Sequence, residues 1–319
     1  MSGSNDHIGA ASWRYGEATI DEAVSRLRGG GLVAVPTETV YGLAADSTNT
    51  AAVAEIYRTK GRPDFNPLIV HVPDLEAARK LGQFNQLAVR FAAAFWPGPL
   101  TLVVPKADDC PVTPAVTAGL STIALRCPAH PVMRQLLSAS GLFLAAPSAN
   151  RSGGISPTAA AHVMCSLGDA APLILDGGPC DTGIESTIIA VNDGDYRILR
   201  PGPVTPEQLQ AIAGKAATTA GGGKIEAPGQ LASHYAPSKP VSLDARTARG
   251  DEYHIGFGPI AGDRNLSEKS DLAEAASQLF AALHDAEVSE KPKIAVAPIP
   301  DIGIGLALND RLRRAASPK

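Results

Sequence analysis

Short, continuously apolar runs separated by stretches of helical periodicity dominate this chain and constrain its fold class more than any other feature. The runs lie at Leu32–Thr37, Leu68–Val72, Thr101–Val104, Thr122–Arg126, Leu142–Ala146, Leu173–Leu175, Thr187–Val191 and Tyr196–Leu199. They are too short for helices and too uniformly apolar for strands with one wet face, so they read as strands buried on both sides. Helical spacing of apolar residues falls between them, at Thr19–Leu27, Ala51–Thr59, Gln86–Phe95, Pro131–Ala139, Pro157–Leu167 and Pro206–Ala213. Strands interleaved with helices predict an α/β fold, a twisted mixed sheet with flanking helices. Periodicity does not supply the strand order.

The length of 319 residues predicts two domains. Residues Gly214–Pro240 carry a glycine triplet at Gly221–Gly223 together with Pro228, Pro237 and Pro240, which reads as a linker too long for an ordinary connection. Beyond it YHIGFG, an alanine-rich helix near Asp271–His284, IAVAPI and a helix near Leu306–Ala315 predict a small βαβα unit. Hydrophobic residues make up 45% and charged residues 19%, a globular balance, and with 5% aromatics the core is aliphatic. A net charge of −4 argues against a protein that coats nucleic acid through its overall field. Cys110, Cys127, Cys165 and Cys180 are widely spaced without a metal-ligand pattern, so reduced thiols in the cytoplasm are expected. Neither a secretory leader nor a membrane-spanning apolar run is evident.

Polar chemistry gathers in clusters at the ends of the strand-like runs. Thr37, Glu38 and Thr39 follow the first run between Pro36 and Gly42; the hydroxyls could face a ligand, and a threonine-capped turn explains them equally. Lys60, Arg62 and Asn66 lie in KGRPDFNPL, where Pro63 and Pro67 stiffen a fork of two cations suited to polyphosphate. A favourable end of the preceding helix is the plainer reading of those cations. His71 falls within a strand, the usual setting of a core histidine. Arg126 ends an apolar strand and needs an anionic partner, ligand or carboxylate. APSANRSGGISPT packs Ser148, Asn150, Ser152 and Ser156 before Pro157, where backbone N–H groups at a helix start could meet phosphate. GIESTI holds Glu185, Ser186 and Thr187, and LRPG holds Arg200.

In order along residues 20–210, PTETVYGL, KGRPDFNPLIVH, FWPGPLTLV, TIALRCP, SANRSGGISPT, GIESTI and LRPG resemble the successive motifs of the threonylcarbamoyl-AMP synthases, the YrdC-like family. HYAP at His234–Pro237 resembles the linker motif of its longer, two-domain branch, and IGIGLALNDRLRRA resembles its C-terminal unit more weakly. The resemblance implies a YrdC-like catalytic domain over 15–213, after a flexible tail at 1–14. It further implies a linker and lid over 214–240 and a small C-terminal Rossmann-like domain over 241–319. GLAAD departs from relatives that carry another glycine there, and the short C-terminal unit leaves its role open.

The activity it implies joins L-threonine, bicarbonate and ATP into threonylcarbamoyl-AMP and pyrophosphate, feeding a downstream transferase complex that modifies a tRNA adenosine. Carried over by position, Thr39, His71, Arg126, Ala146 and Ser186 would surround threonine, with Arg126 on its carboxylate. Arg62, Asn66, Thr122, Ser148, Ser156, Arg200 and Tyr235 would surround ATP. Lys60 and Arg62 would be catalytic through charge neutralisation, and Mg²⁺ would arrive with ATP. Tyr235 would fold over the pocket with the linker. Rival readings are an RNA-binding module without chemistry and a carbamoyl-transfer domain of the kind found in hydrogenase maturation proteins. The first wants a wider basic and aromatic face than the sequence offers. The second wants zinc-finger and acylphosphatase-like segments, which are not seen.

Overall fold

The structure is a computed structural model and describes residues 12–14, 17–192, 194–218, 226–228 and 235–317. The larger domain is built on a ten-stranded mixed sheet. Its strands are β1 Ser12–Arg14, β2 Val33–Val35, β3 Gly42–Asp46, β4 Ile69–His71 and β5 Leu100–Pro105, then β6 Thr122–Arg126, β7 Leu144–Ala145, β8 Leu173–Asp176, β9 Thr187–Asn192 and β10 Asp195–Arg200. Their order across the sheet is β1-β8-β2-β3-β7-β4-β6-β5-β9-β10. The expected apolar runs are all strands.

Two elements depart from the sequence reading. The segment GLAAD, not among the expected strands, is β3, which pairs antiparallel with β2 in the register Val33↔Ala44 and Val35↔Gly42. Small alanines have little strand propensity of their own, and only the pairing partner makes this segment extended. At the other end, β1 lies inside the stretch expected as a tail and pairs parallel with β8.

The helices are α1 Glu17–Arg28, α2 Thr50–Lys60, α3 Leu75–Arg79, α4 Gln86–Phe95, α5 Pro114–Thr117, α6 Pro131–Ser140, α7 Ala160–Leu167 and α8 Pro206–Ala213. Local chemistry sets their ends. The Asn49 side chain accepts from the Ala51 and Ala52 N–H groups at the start of α2, and Gly61 closes that helix at φ 59°. Thr205 and Gln208 form a capping box around Pro206 in α8. Helix α7 starts at Ala160 rather than Pro157, and the Thr158 N–H turns to His162 Nδ1 at 3.2 Å. The serines of the preceding loop therefore do not sit on its first turn.

Helices cover the two faces of the sheet unequally, and that places the site. On one face α2, α4 and α7 bury Val53, Ile56, Phe91 and Val163 against Leu43, Val70, Leu102 and Leu125. On the other, α1 and α6 pack Leu27, Met133 and Leu136 over Val33, Val35, Ala44, Leu144, Leu173 and Leu175. The remaining part of that face, with Ile69, Val103, Ala124, Ile188 and Ala190, is covered among the described residues by Ala227 of the linker.

The C-terminal domain is a parallel sheet of β11 Val241–Ser242, β12 Glu252–Gly256, β13 Arg264–Asn265 and β14 Lys293–Val296, in the order β11-β14-β12-β13. With α9 Leu272–Val288 and α10 Gly305–Ala316 it is the expected Rossmann-like unit, with two short strands added. It is docked on the first domain, because Val40, Ile155 and Ile184 join Tyr235, Ile255, Leu279 and Phe280 in one core. Gly183, at φ 73°, lets α9 come against the GIESTI loop: a Cβ there would lie 2.5 Å from Ser277 Cα. Beside that contact the His162 and His284 rings stack at 3.9 Å.

Candidate active site

Beside the part of the sheet left bare by the helices lies a cavity where strand ends from distant parts of the chain converge. Its lining includes Thr37 and Thr39 from the β2–β3 loop, Arg62 after α2, His71 at the end of β4 and Arg126 at the end of β6. Ala146 and Ser148 follow β7, Glu185 and Ser186 precede β9, Arg200 ends β10, and Pro228 and Tyr235 come from the linker. Ligand sites in such sheets lie at strand ends because the loops there are free to vary while the strands hold them.

At one end of the cavity, Arg126 is anchored on several sides. Its Nη2 donates to Glu38 Oε1 at 2.7 Å, its Nη1 to Thr39 Oγ1 at 2.9 Å and its Nε to Gly98 O at 3.3 Å. Burial would raise the Glu38 carboxyl, but the Arg126 guanidinium and the Ala129 N–H outweigh it and hold the group below its usual value. His71 is the register partner of Arg126 across β4 and β6. Burial first, and the Arg126 charge second, bring its imidazole down to about 3, so it is neutral at physiological pH. Its Nδ1 is buried without a hydrogen-bond partner.

At the other end are two more buried guanidiniums. Arg62 is tied to its own loop, donating to Asn66 O at 3.2 Å and Pro67 O at 2.9 Å. Burial lowers it to about 10, still a cation at neutral pH. Arg200 donates to Ser186 O at 2.9 Å and Ser186 Oγ at 3.1 Å, while Ser186 Oγ shares a 2.7 Å hydrogen bond with Thr101. Three arginines thus face one space, where Glu185 is the carboxylate among the described lining residues. Glu185 is already committed, accepting from Ser156 Oγ and from Arg311 Nε at 3.0 Å.

Not every residue singled out in the sequence lines this space. Lys60 does not: its Nζ donates to Ser148 O and Asn150 O and so pins the loop that carries Ser148. Burial, with Arg62 nearby, pushes its ammonium well below the usual lysine value. Asn66 is buried behind Arg62, with both side-chain polar atoms unpartnered. Ser156 stands behind Glu185. Thr122 lies on the cavity face of β6 but at the opposite end of the strand from Arg126. Two participants were not read as site residues. Glu38 was visible as a neighbour of Thr39, and Arg311 had one signal: it shares the helical face of Leu308, Leu312 and Ala315 in α10.

The space left in the cavity is about 50 Å³, room for a water or two rather than for a nucleotide. Tyr235 is part of its wall, with its ring 5.7 Å from Phe280 and its backbone at φ 61°. A bulky residue in that region is strained and is held there by its surroundings. His234, the first residue of HYAP, lies outside the described residues.

Comparison with known proteins places the whole chain. Residues 25–202 match the family model described as "Telomere recombination", and residues 204–317 match "Threonylcarbamoyl-AMP synthase, C-terminal domain". The threonylcarbamoyl-AMP synthase of Bacillus subtilis is 39% identical over 93% of this chain and 92% of its own. That of Pyrococcus abyssi is 36% identical over 95% of each. A crystal structure of the Pyrococcus abyssi protein complexed with L-threonine superposes with a TM-score of 0.87 at 34% identity, covering 96% of both chains.

Proposed function

The chain belongs to the threonylcarbamoyl-AMP synthase family, and we infer from its cavity how it joins L-threonine, bicarbonate and ATP into threonylcarbamoyl-AMP, with release of pyrophosphate and water. The observation that carries this reading is the set of three buried arginines, Arg62, Arg126 and Arg200, around a space whose lining carboxylate is already paired. Such an excess of buried positive charge suits a polyanion. Threonine and bicarbonate first form a carbamate; its oxygen then attacks the α-phosphate of ATP, and pyrophosphate leaves. Every partner in that step is an anion, so cations and positioning lower the barrier without a covalent nucleophile.

Arg126 takes the amino-acid carboxylate, with Thr39, neutral His71, Ala146 and Ser186 around the rest of threonine. His71 leaves its buried Nδ1 for a hydrogen bond with the ligand. Arg62 and Arg200 face the phosphates, and Lys60 acts from behind by fixing the Ser148 loop. Asn66, Thr122, Ser148 and Ser156 complete the nucleotide side. The carboxylates nearest the cavity, Glu38 and Glu185, are engaged by arginines, so Mg²⁺ comes to the site on the ATP phosphates.

Ligand entry requires Tyr235 and Pro228 to withdraw, because the present space is too small. Residues 214–240 therefore act as linker and lid, closing over bound substrates and keeping water from the labile carbamate. The product goes to the enzymes that install the threonylcarbamoyl group on tRNA adenosine. The cysteines are free, no helix among the described residues is long and apolar enough to cross a membrane, and we place the protein in the cytoplasm.

Pyrophosphate release tests the reading, with threonine, bicarbonate and ATP omitted in turn. Release should require all three. Release that persists without threonine would remove the synthase assignment.

A further inference from the structure

One charged side chain of the C-terminal domain stands directly behind the cavity wall, against Glu185 and Tyr235. Arg311 of α10 is fully buried. Its Nε donates to Glu185 Oε2 at 3.0 Å and its Nη2 to Glu185 O at 3.3 Å. Nη1 donates to Pro201 O at 2.6 Å and to Asp310 Oδ2 at 3.0 Å. The central carbon of the same guanidinium lies over the Tyr235 ring, 5.4 Å from its centroid. An arginine buried this deeply between domains is costly unless each of its faces is used. Here the edge serves the loop that carries Glu185 and Ser186, and the face serves the lid.

We propose that Arg311 is a positioning residue for the reaction, holding the Glu185–Ser186 wall and the Tyr235 ring in the closed arrangement, so that the C-terminal domain completes the nucleotide side of the site. The proposal rests on the synthase reading. Only a planar guanidinium does both jobs, because its N–H edge meets a carboxylate while its face stacks on a ring. A lysine pairs with Glu185 as a point charge but cannot keep the contacts to Pro201 and Tyr235 together. Without the arginine, the Glu185 carboxylate is left buried near Arg200, whose charge acts on the same group of side chains. Arg200 is then drawn from Ser186 toward Glu185, and the phosphates lose part of a cation.

The test uses the full chain carrying Arg311→Lys, and separately the double variant Arg311→Met with Glu185→Gln, which removes the buried pair as a unit. ATP affinity is measured by calorimetry, which needs no turnover. KM for ATP and for threonine, kcat and urea stability are measured alongside. Arg311→Lys should weaken ATP binding and raise its KM by about tenfold, the size of a desolvated cation–ring contact, while the KM for threonine, which keeps its Arg126 anchor and loses only part of the Ser186 contact, rises less. In a Tyr235→Leu background, the same substitution should have little further effect. The double variant should fold and still bind ATP weakly, even if Arg311→Lys does not fold. Unchanged ATP affinity in either folded variant overturns the proposal, as does an equal loss for both substrates that follows the loss of stability. Absence of threonine-dependent turnover in the unmodified protein counts against the synthase reading instead, and calorimetry still decides the role of Arg311.

Discussion

Arg126 and Glu38, 88 positions apart in sequence, form a buried ion pair 2.7 Å long behind the cavity wall. The pair holds the guanidinium so that Thr39 receives its other arm. Arg126 is therefore aimed before any ligand arrives, and its orientation depends on a carboxylate that does not line the cavity.

Glu38→Gln should lower stability by about 3 kcal/mol at pH 7, because it leaves a buried cation without its counter-charge. Glu38 lies below its ordinary 4.5 in the folded state, so its contribution is complete above that value and is lost as pH falls through the folded one. Urea unfolding of both proteins at pH 7 and near pH 3.5 checks this. A gap that stays the same at both pH values would rule out the ion pair as its source.

Lys60 and Arg62 should separate. Arg62→Ala takes the Arg62 donor from the Pro67 carbonyl but also removes a buried cation that Arg200 opposes, so it should cut turnover at least about a hundredfold at a smaller cost in stability than Lys60→Met. Lys60→Met takes the Lys60 donor from the Asn150 carbonyl and leaves the Ser148 carbonyl only the Asn150 N–H, and should cost about 2 kcal/mol of stability together with turnover. Kinetics and urea curves on the two variants decide, and equal stability losses would merge their roles.

His71 should remain neutral throughout the working pH range. With a folded value of about 3 against 6.5 unfolded, the unfolded chain takes up a proton that the native state refuses as pH drops below 6.5. Stability then falls by about 1.4 kcal/mol per pH unit from this group. His71→Asn should flatten the acid side of the stability curve by that slope. An imidazole signal that titrates near 6.5 in the native protein would contradict it.

Gly183→Ala should loosen the two domains. The added Cβ falls 2.5 Å from Ser277 Cα and 2.6 Å from Ala276 O, at a φ of 73°, so the α9 backbone has to move and the cost should exceed about 1 kcal/mol. A single cooperative unfolding transition splitting into two, followed by calorimetry, is the expected sign. An unchanged transition would mean that the loop can turn away from α9.

The site was legible to different depths. Thr39, His71, Arg126, Ala146, Ser148, Ser186, Arg200 and Tyr235, drawn from separate motifs, line one cavity. Lys60 and Arg62 looked equivalent, but Gly61 turns the chain left-handed between them and sends one to the Ser148 loop and the other to the cavity. The strand Gly42–Asp46 was hidden in a turn because alanines extend there only by pairing with Val33–Val35.

The sequence by itself determined the alternation of strands and helices, the caps that end them, the two-domain layout and the polar clusters at strand ends. All of these follow from residue type and spacing over a few positions. Tertiary structure alone decided which carboxylate serves which arginine, because Glu38 and Arg126 meet across 88 positions, and Glu185 and Arg311 across 126. A buried charge is settled by whatever partner the packed chain brings within hydrogen-bond reach, and no local pattern encodes that partner.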